Sequence, residues 1–270
     1  MSLRPWLWLP TRWAHDAAPY VLPIASRMGS NRTDQWQSFT WRNLQFRHRV
    51  GLAGGADKNA RNVEDWWRLG AGFIEVGTVT PRPQGPNPGK IMQRLPQQKS
   101  LWNCMGFPNA GMVELHKTLA RLPQSRPTPV FVNIGKNRDT TLENASNDYV
   151  QCLQTLHDLA DVFIINISSP NTQGLRALQE KTALTDFLGT IIHARDKLGQ
   201  KPMSLKISPD NSEADLSAIL EVGTLLKIDG WTLTNTTIQY NQQLKLPTRG
   251  GVSGALLQSR SMQTLKFVTQ

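Results

Sequence analysis

Residues 166–171 read NISSPN: two amides, two hydroxyls and a proline, set directly behind the apolar residues 162–165. An asparagine amide both donates and accepts, and a hydroxyl does the same with freer geometry. Pro170 stops the backbone, so Asn166, Ser169 and Asn171 are available to a polar ligand. The same residue types also build an ordinary turn, and one such stretch alone would be read that way. Other stretches repeat the pattern, however. Lys206 follows Met203, Ser204 and Leu205, a position poorly explained for a surface lysine, and Thr234, Asn235 and Thr236 follow Trp231 to Leu233.

Six short apolar segments present these groups, beginning at Val50, Gly72, Val130, Val162, Met203 and Gly230. Each ends in polar or glycine-rich residues and is followed by a helical stretch, for instance 147–159 and 213–226, the second behind the cap-like Ser212. Strands alternating with helices indicate βαβ units and a parallel sheet. The expected fold is therefore α/β, a (β/α)8 barrel of which about six βα units are visible. All the unusual polar residues fall at the C-terminal strand ends, where such barrels and open parallel sheets bind ligands.

Composition narrows the alternatives. The chain has 270 residues, 39% hydrophobic and 19% charged, and reads as globular. Cys104 and Cys152 match neither a disulfide framework nor a zinc pattern, so a reducing compartment and no metal site are expected. The formal charge of +10 suits nucleic acid, an anionic membrane or an anionic substrate. No nucleic acid is expected as a partner, because recognition motifs are missing and the charge is dispersed. The leader mixes Leu3, Trp6, Leu7, Trp8, Leu9 and Trp13 with Arg4, Pro5, Pro10 and Arg12. It is too interrupted to span a bilayer. A helix lying in a membrane interface and a helix packed on the protein's own core both fit it.

Eight motifs then come in order: GLAGGADKN, IEVGTVTPRPQ, NCMGFPN, NIGKNRDT, NISSPNTQGLR, LKISPD, TNTT and GGVSG. From about Pro10 to its end the chain resembles the dihydroorotate dehydrogenases, specifically their membrane-associated, quinone-dependent class. The resemblance implies FMN as cofactor and oxidation of dihydroorotate to orotate, within de novo UMP synthesis, with a membrane quinone as final electron acceptor. It implies flavin contacts at Gly54, Gly55, Ala56, Asp57, Lys58, Thr78, Asn133, Asn166, Lys206, Thr234 and Gly254. Substrate contacts would be Lys58, Asn103, Cys104, Met105, Gly106, Phe107, Asn166, Asn171, Asn235 and Thr236. Ser169 takes the place of the catalytic base, with Thr172 as a neighbouring hydroxyl on the proton path. Soluble relatives carry a cysteine at that position, so Ser169 points to the quinone class.

The resemblance also makes residues 1–34 a helical extension over a quinone tunnel, with His15 and Arg94 on the quinone side, and residues 35–270 an FMN-binding barrel. By residue type alone, His15 is equally a packed helix residue satisfied by the backbone. The implied location is peripheral: the cytoplasmic face of the cell membrane in a bacterium, the inner mitochondrial membrane in a eukaryote. Three positions depart from the family pattern. Gly54 stands where alanine is usual, and Ile91 and Cys104 stand where arginine is common. Two further strands, whose loops would hold the FMN phosphate, are not found, roughly 60 residues at about 30 per βα unit. A piece of a longer enzyme is therefore expected, with a flavin-free remnant as the other reading.

Overall fold

The structure, a computed structural model, describes residues 7–28 and 36–270. Leu3, Arg4, Pro5, Trp6 and the expected domain boundary at 34/35 lie outside the described residues. Helix α1 (Thr11–Met28) is followed by the hairpin strands β1 (Phe39–Trp41) and β2 (Leu44–Phe46), then β3 (Leu52–Asp57), α2 (Val63–Arg68) and β4 (Ile74–Val79). Strands β5 (Met92–Leu95) and β6 (Ser100–Asn103) precede α3 (Met112–Leu119), β7 (Val130–Ile134), α4 (Ala145–Leu156) and β8 (Val162–Asn166). The chain then runs through α5 (Lys181–Leu198), β9 (Met203–Ile207), α6 (Glu213–Leu225), β10 (Gly230–Leu233), β11 (Gly251–Gly254) and α7 (Ala255–Val268).

The six expected strands form one parallel sheet in the order β3-β4-β7-β8-β9-β10. Because β3 and β10 are the two edges and do not pair, the sheet is a curled half-barrel. Every residue of β4 and β8 is buried, which is why those strands read as apolar runs without alternation. Helix α4 buries Tyr149, Cys152, Leu153 and Leu156 on one stripe, at the spacing a helix imposes. The expected cap of α6 is a full capping box: Asp215 N donates to Ser212 Oγ at 3.2 Å, and Ser212 N donates to the Asp215 carboxylate at 3.1 Å.

Two small sheets were not anticipated. The β1–β2 hairpin stacks Phe39 on Phe46 at 4.5 Å, and Phe46 meets Phe73 and Phe131 edge-on among residues that begin the barrel strands. The GGVSG stretch becomes β11 and pairs antiparallel with β6, which in turn pairs with β5. Glycine-rich sequence has little strand preference of its own. A partner about 150 residues upstream in the chain supplies the ladder, and Trp102, Leu95, Leu246 and Val252 pack beneath it.

Candidate active site at the strand ends

The polar strand ends converge on a cavity of about 360 Å³. That volume is within the usual range for small-molecule sites. From the expected flavin set, Gly54, Gly55, Lys58, Thr78, Asn166 and Lys206 line it. From the expected substrate set come Asn103, Met105, Gly106, Phe107, Asn171, Asn235 and Thr236. Ser169 and His15 complete the group. These positions span 222 residues of chain, from His15 to Thr236 counted inclusively.

Several expected residues stand elsewhere. Cys104 is buried away from the cavity, against Trp102, Leu95 and Val252, with Asn87 Nδ2 3.6 Å from its sulfur. Gly254 is exposed where β11 meets α7. Thr172 is buried without lining the cavity. Asp57 accepts from Arg61 N at 2.9 Å and Asn62 N at 2.8 Å, so it anchors the turn into α2. Its carboxyl is pushed up by burial, against the pull of those two bonds. Ala56 and Asp57 line a neighbouring cavity instead.

Beneath the cavity runs a chain of buried hydrogen bonds. Asn166 Nδ2 donates to Thr78 Oγ1 at 2.9 Å and to Asn133 Oδ1 at 3.2 Å, and Thr78 Oγ1 donates to Asn133 Oδ1 at 2.7 Å. Asn133 Nδ2 donates to Glu75 Oε1 at 2.6 Å, and Lys206 Nζ donates to the same oxygen at 3.2 Å. Asn133 therefore supports the cavity floor without lining it. Sequence reasoning passed over Glu75. An acid inside the apolar run FIEVGTV was the available signal, since a buried carboxylate needs a partner. The same residue explains Gly54: a β-carbon there would collide with the Glu75 carboxylate, so glycine admits it.

Among the described residues four buried oxygens have no partner, Thr128 Oγ1, Asn171 Oδ1, Thr234 Oγ1 and Asn241 Oδ1, and of these residues Asn171 lines the cavity while Thr234, expected at the flavin, does not. Such atoms are costly unless something supplies a bond, which a ligand does in an active site. Ser169 is 3% exposed, and its Oγ accepts from Asn171 N at 3.2 Å. Lys58 Nζ donates to Gly55 O at 2.7 Å, and burial pulls its ammonium below the ordinary lysine value of 10.5.

Helix α1 closes one side. Its Ser26 donates to Asp65 on α2 at 2.6 Å, and Asn62 Nδ2 donates to the Pro19 carbonyl at 3.0 Å. Between α1 and α2 lies a second cavity of about 340 Å³, lined by Ala18, Pro19, Leu22 and Trp66 and sharing His15, Gly55 and Lys58 with the first. Arg94 stands outside both and donates to the carbonyls of Leu7 at 3.2 Å and Leu9 at 2.8 Å. No helix among the described residues is long and apolar enough to cross a membrane.

The sequence model of the family described as dihydroorotate dehydrogenase matches residues 38–270. The chain belongs to that family. It is 41% identical over 268 residues to the dihydroorotate dehydrogenase (quinone) of Xylella fastidiosa strain 9a5c, covering 95% of this chain and 76% of that one. Identity to the protein of the same description from Synechococcus sp. strain JA-3-3Ab is 39% over 262 residues, 93% of this chain and 68% of the other. Among solved structures, ligand-free DHODH from Eimeria tenella superposes with a TM-score of 0.85 at 30% identity, covering 96% of this chain and 80% of that one. The ferulenol complex of the same organism's enzyme gives 0.83 at 30%, over 96% and 76%. The protein is thus an oxidoreductase built on the barrel of these dehydrogenases, and its half-barrel is six consecutive βα units of that plan.

Proposed function

We propose that the protein oxidises dihydroorotate to orotate with FMN bound in the strand-end cavity and a membrane quinone as the final acceptor, as a step of UMP synthesis. The observation that carries the reading is the convergence of Asn103, Asn166, Asn171 and Asn235 with Lys58, Lys206 and Ser169 around one cavity.

The cavity fits a flavin. Gly55 has a φ of +98° and open space where a β-carbon would stand, so a flat ring system can approach the backbone. Thr78 and Asn166 present polar atoms at its lining, and Lys206 offers positive charge. When bound, the flavin supplies the two-electron acceptor that no side chain can provide. Lys206 favours negative charge developing beside it in the low-dielectric floor.

The remaining work falls to the chain. Lys58 pairs with the substrate carboxylate, and the asparagine amides, including the unpartnered Asn171 Oδ1, match the amide-like edges of the ring. Ser169 Oγ accepts the proton leaving a ring carbon, and the buried hydroxyl of Thr172 is the proposed next acceptor. Met105, Gly106 and Phe107 wall the substrate side. His15 meets the quinone in the cavity between α1 and α2, and Arg94 holds the segment just ahead of α1 through the Leu9 carbonyl. Trp13, Tyr20, Val21, Ile24 and Met28 are exposed on α1, at spacings that place them on one side, and support a peripheral seat in a membrane interface. That seat is the cytoplasmic face of the cell membrane in a bacterium, or the inner mitochondrial membrane in a eukaryote.

The deciding experiment mixes flavin-loaded protein anaerobically with dihydroorotate. Bleaching of the flavin with release of orotate is expected. Flavin that stays oxidised while the protein binds orotate would overturn the reading.

A further inference from the structure

Glu75 is 4% exposed, and both bonds recorded for its carboxylate go to residues at the floor of the cavity, Asn133 and Lys206. A carboxylate only accepts, so Asn133 must turn its Nδ2 toward Glu75 and its Oδ1 away. That Oδ1 then faces Thr78 Oγ1 and Asn166 Nδ2, both of which donate to it. Asn166 has thereby committed its Nδ2 downward, which leaves its Oδ1 toward Asn235 Nδ2 at 3.4 Å and Ser168 Oγ at 3.3 Å. One charge at the base thus orients the amides of Asn133, Asn166 and Asn235. The same charge balances Lys206 at 3.2 Å, so the pair beneath the cavity is neutral.

A buried ion pair is weak support for stability, because desolvation offsets its attraction. What it does specify here is direction and charge. We infer that Glu75 is a positioning residue for the reaction: it sets the donor and acceptor sense of the chain Asn133, Thr78, Asn166 and Asn235, and holds the charge of Lys206 in balance at the cavity floor. The inference rests on the flavin reading of the cavity.

The test uses the full chain loaded with FMN and compares the parent with Glu75→Gln, Glu75→Asp and the double variant Glu75→Gln with Lys206→Met. The midpoint potential of the bound flavin is measured by spectroelectrochemistry, and flavin reduction by stopped flow. Glu75→Gln leaves Lys206 without its counter-charge, so the potential should become more positive. The amide chain loses its fixed sense, so reduction at saturating dihydroorotate should slow at least ~10-fold while orotate affinity changes far less. Glu75→Asp should keep the parent potential, and the double variant, neutral again, should return toward it. An unchanged potential in Glu75→Gln, or equal shifts in all three variants, would overturn the inference. Should Glu75→Gln not fold, a crystal structure of the flavin-loaded parent decides: Asn133 Nδ2 and Lys206 remaining on Glu75 supports it, and either one leaving Glu75 overturns it. A parent chain that binds neither flavin nor orotate would instead sink the flavin reading itself.

Discussion

Lys58 Nζ and His15 Nε2 stand 3.4 Å apart, although 43 residues separate them in the chain. Through this contact the strand-end cavity and the cavity under α1 share a wall. The charge proposed to receive the substrate carboxylate is therefore set against the helix proposed to admit the quinone.

Lys58 gives a pH dependence. Burial lowers its value below 10.5, so its charge is lost at a lower pH than that of a free lysine. Orotate affinity should be level near neutrality and fall as pH rises through that depressed value, and Lys58→Met should remove the falling limb. Charge-assisted bonds contribute about 1.5–3 kcal/mol, so a loss of roughly 10- to 150-fold in affinity is expected at neutral pH, read by calorimetry. Without ligand the sign reverses. Between the depressed value and 10.5 the unfolded chain binds a proton that the folded chain does not, so stability should rise with pH across that window.

Ser169→Ala should leave orotate binding nearly intact, because the amides carry it, and slow flavin bleaching by dihydroorotate about 10²- to 10⁴-fold. Ser169→Cys should retain part of the rate and move its pH profile downward, since a thiol ionises near 8.5 in model peptides. Parent-rate bleaching in the alanine variant across pH would remove Ser169 from the role of base.

His15→Ala, and deletion of residues 1–28, should impair reduction of a long-tailed quinone more than flavin reduction by dihydroorotate. Steady-state assays with quinone and stopped-flow bleaching separate the two. Equal losses would make α1 a general stabilising element.

The apolar side of α1 is open to a vesicle assay. Tyr20 is 70% and Met28 84% exposed, so changing Tyr20, Ile24 and Met28 to serine removes no core contact. Sedimentation with anionic vesicles should fall severalfold while thermal stability holds, because interfacial binding scales with buried apolar area. Unchanged sedimentation would place the membrane contact elsewhere.

Ser26→Ala tests how α1 is held. It removes the 2.6 Å bond to Asp65, whose carboxylate keeps Arg68 and Asn62 as partners. A loss of about 1 kcal/mol in unfolding free energy is expected from denaturant titration. No loss would mean that packing alone seats the helix.

The sequence by itself determined the half-barrel. An apolar run ending in polar residues and leading into an amphipathic helix is a local pattern, and local burial decides it. That is why β7 to β10 begin where Val130, Val162, Met203 and Gly230 announce them, and why Ser212 caps α6. The polar groups at the strand ends were legible for the same reason, since the end of a buried strand is set by its own residues. Tertiary structure alone decided what those groups touch. Cys104 stands between Asn103 and Met105, which line the cavity, yet it turns its sulfur into the small antiparallel cluster. Gly251 to Gly254 become a strand because β6 offers them an edge. Glu75 on β4 and Lys206 on β9, 131 residues apart, meet across the inside of the curled sheet although β7 and β8 lie between their strands. Pairings of that kind depend on distances across the sheet, and no periodicity within either segment encodes them.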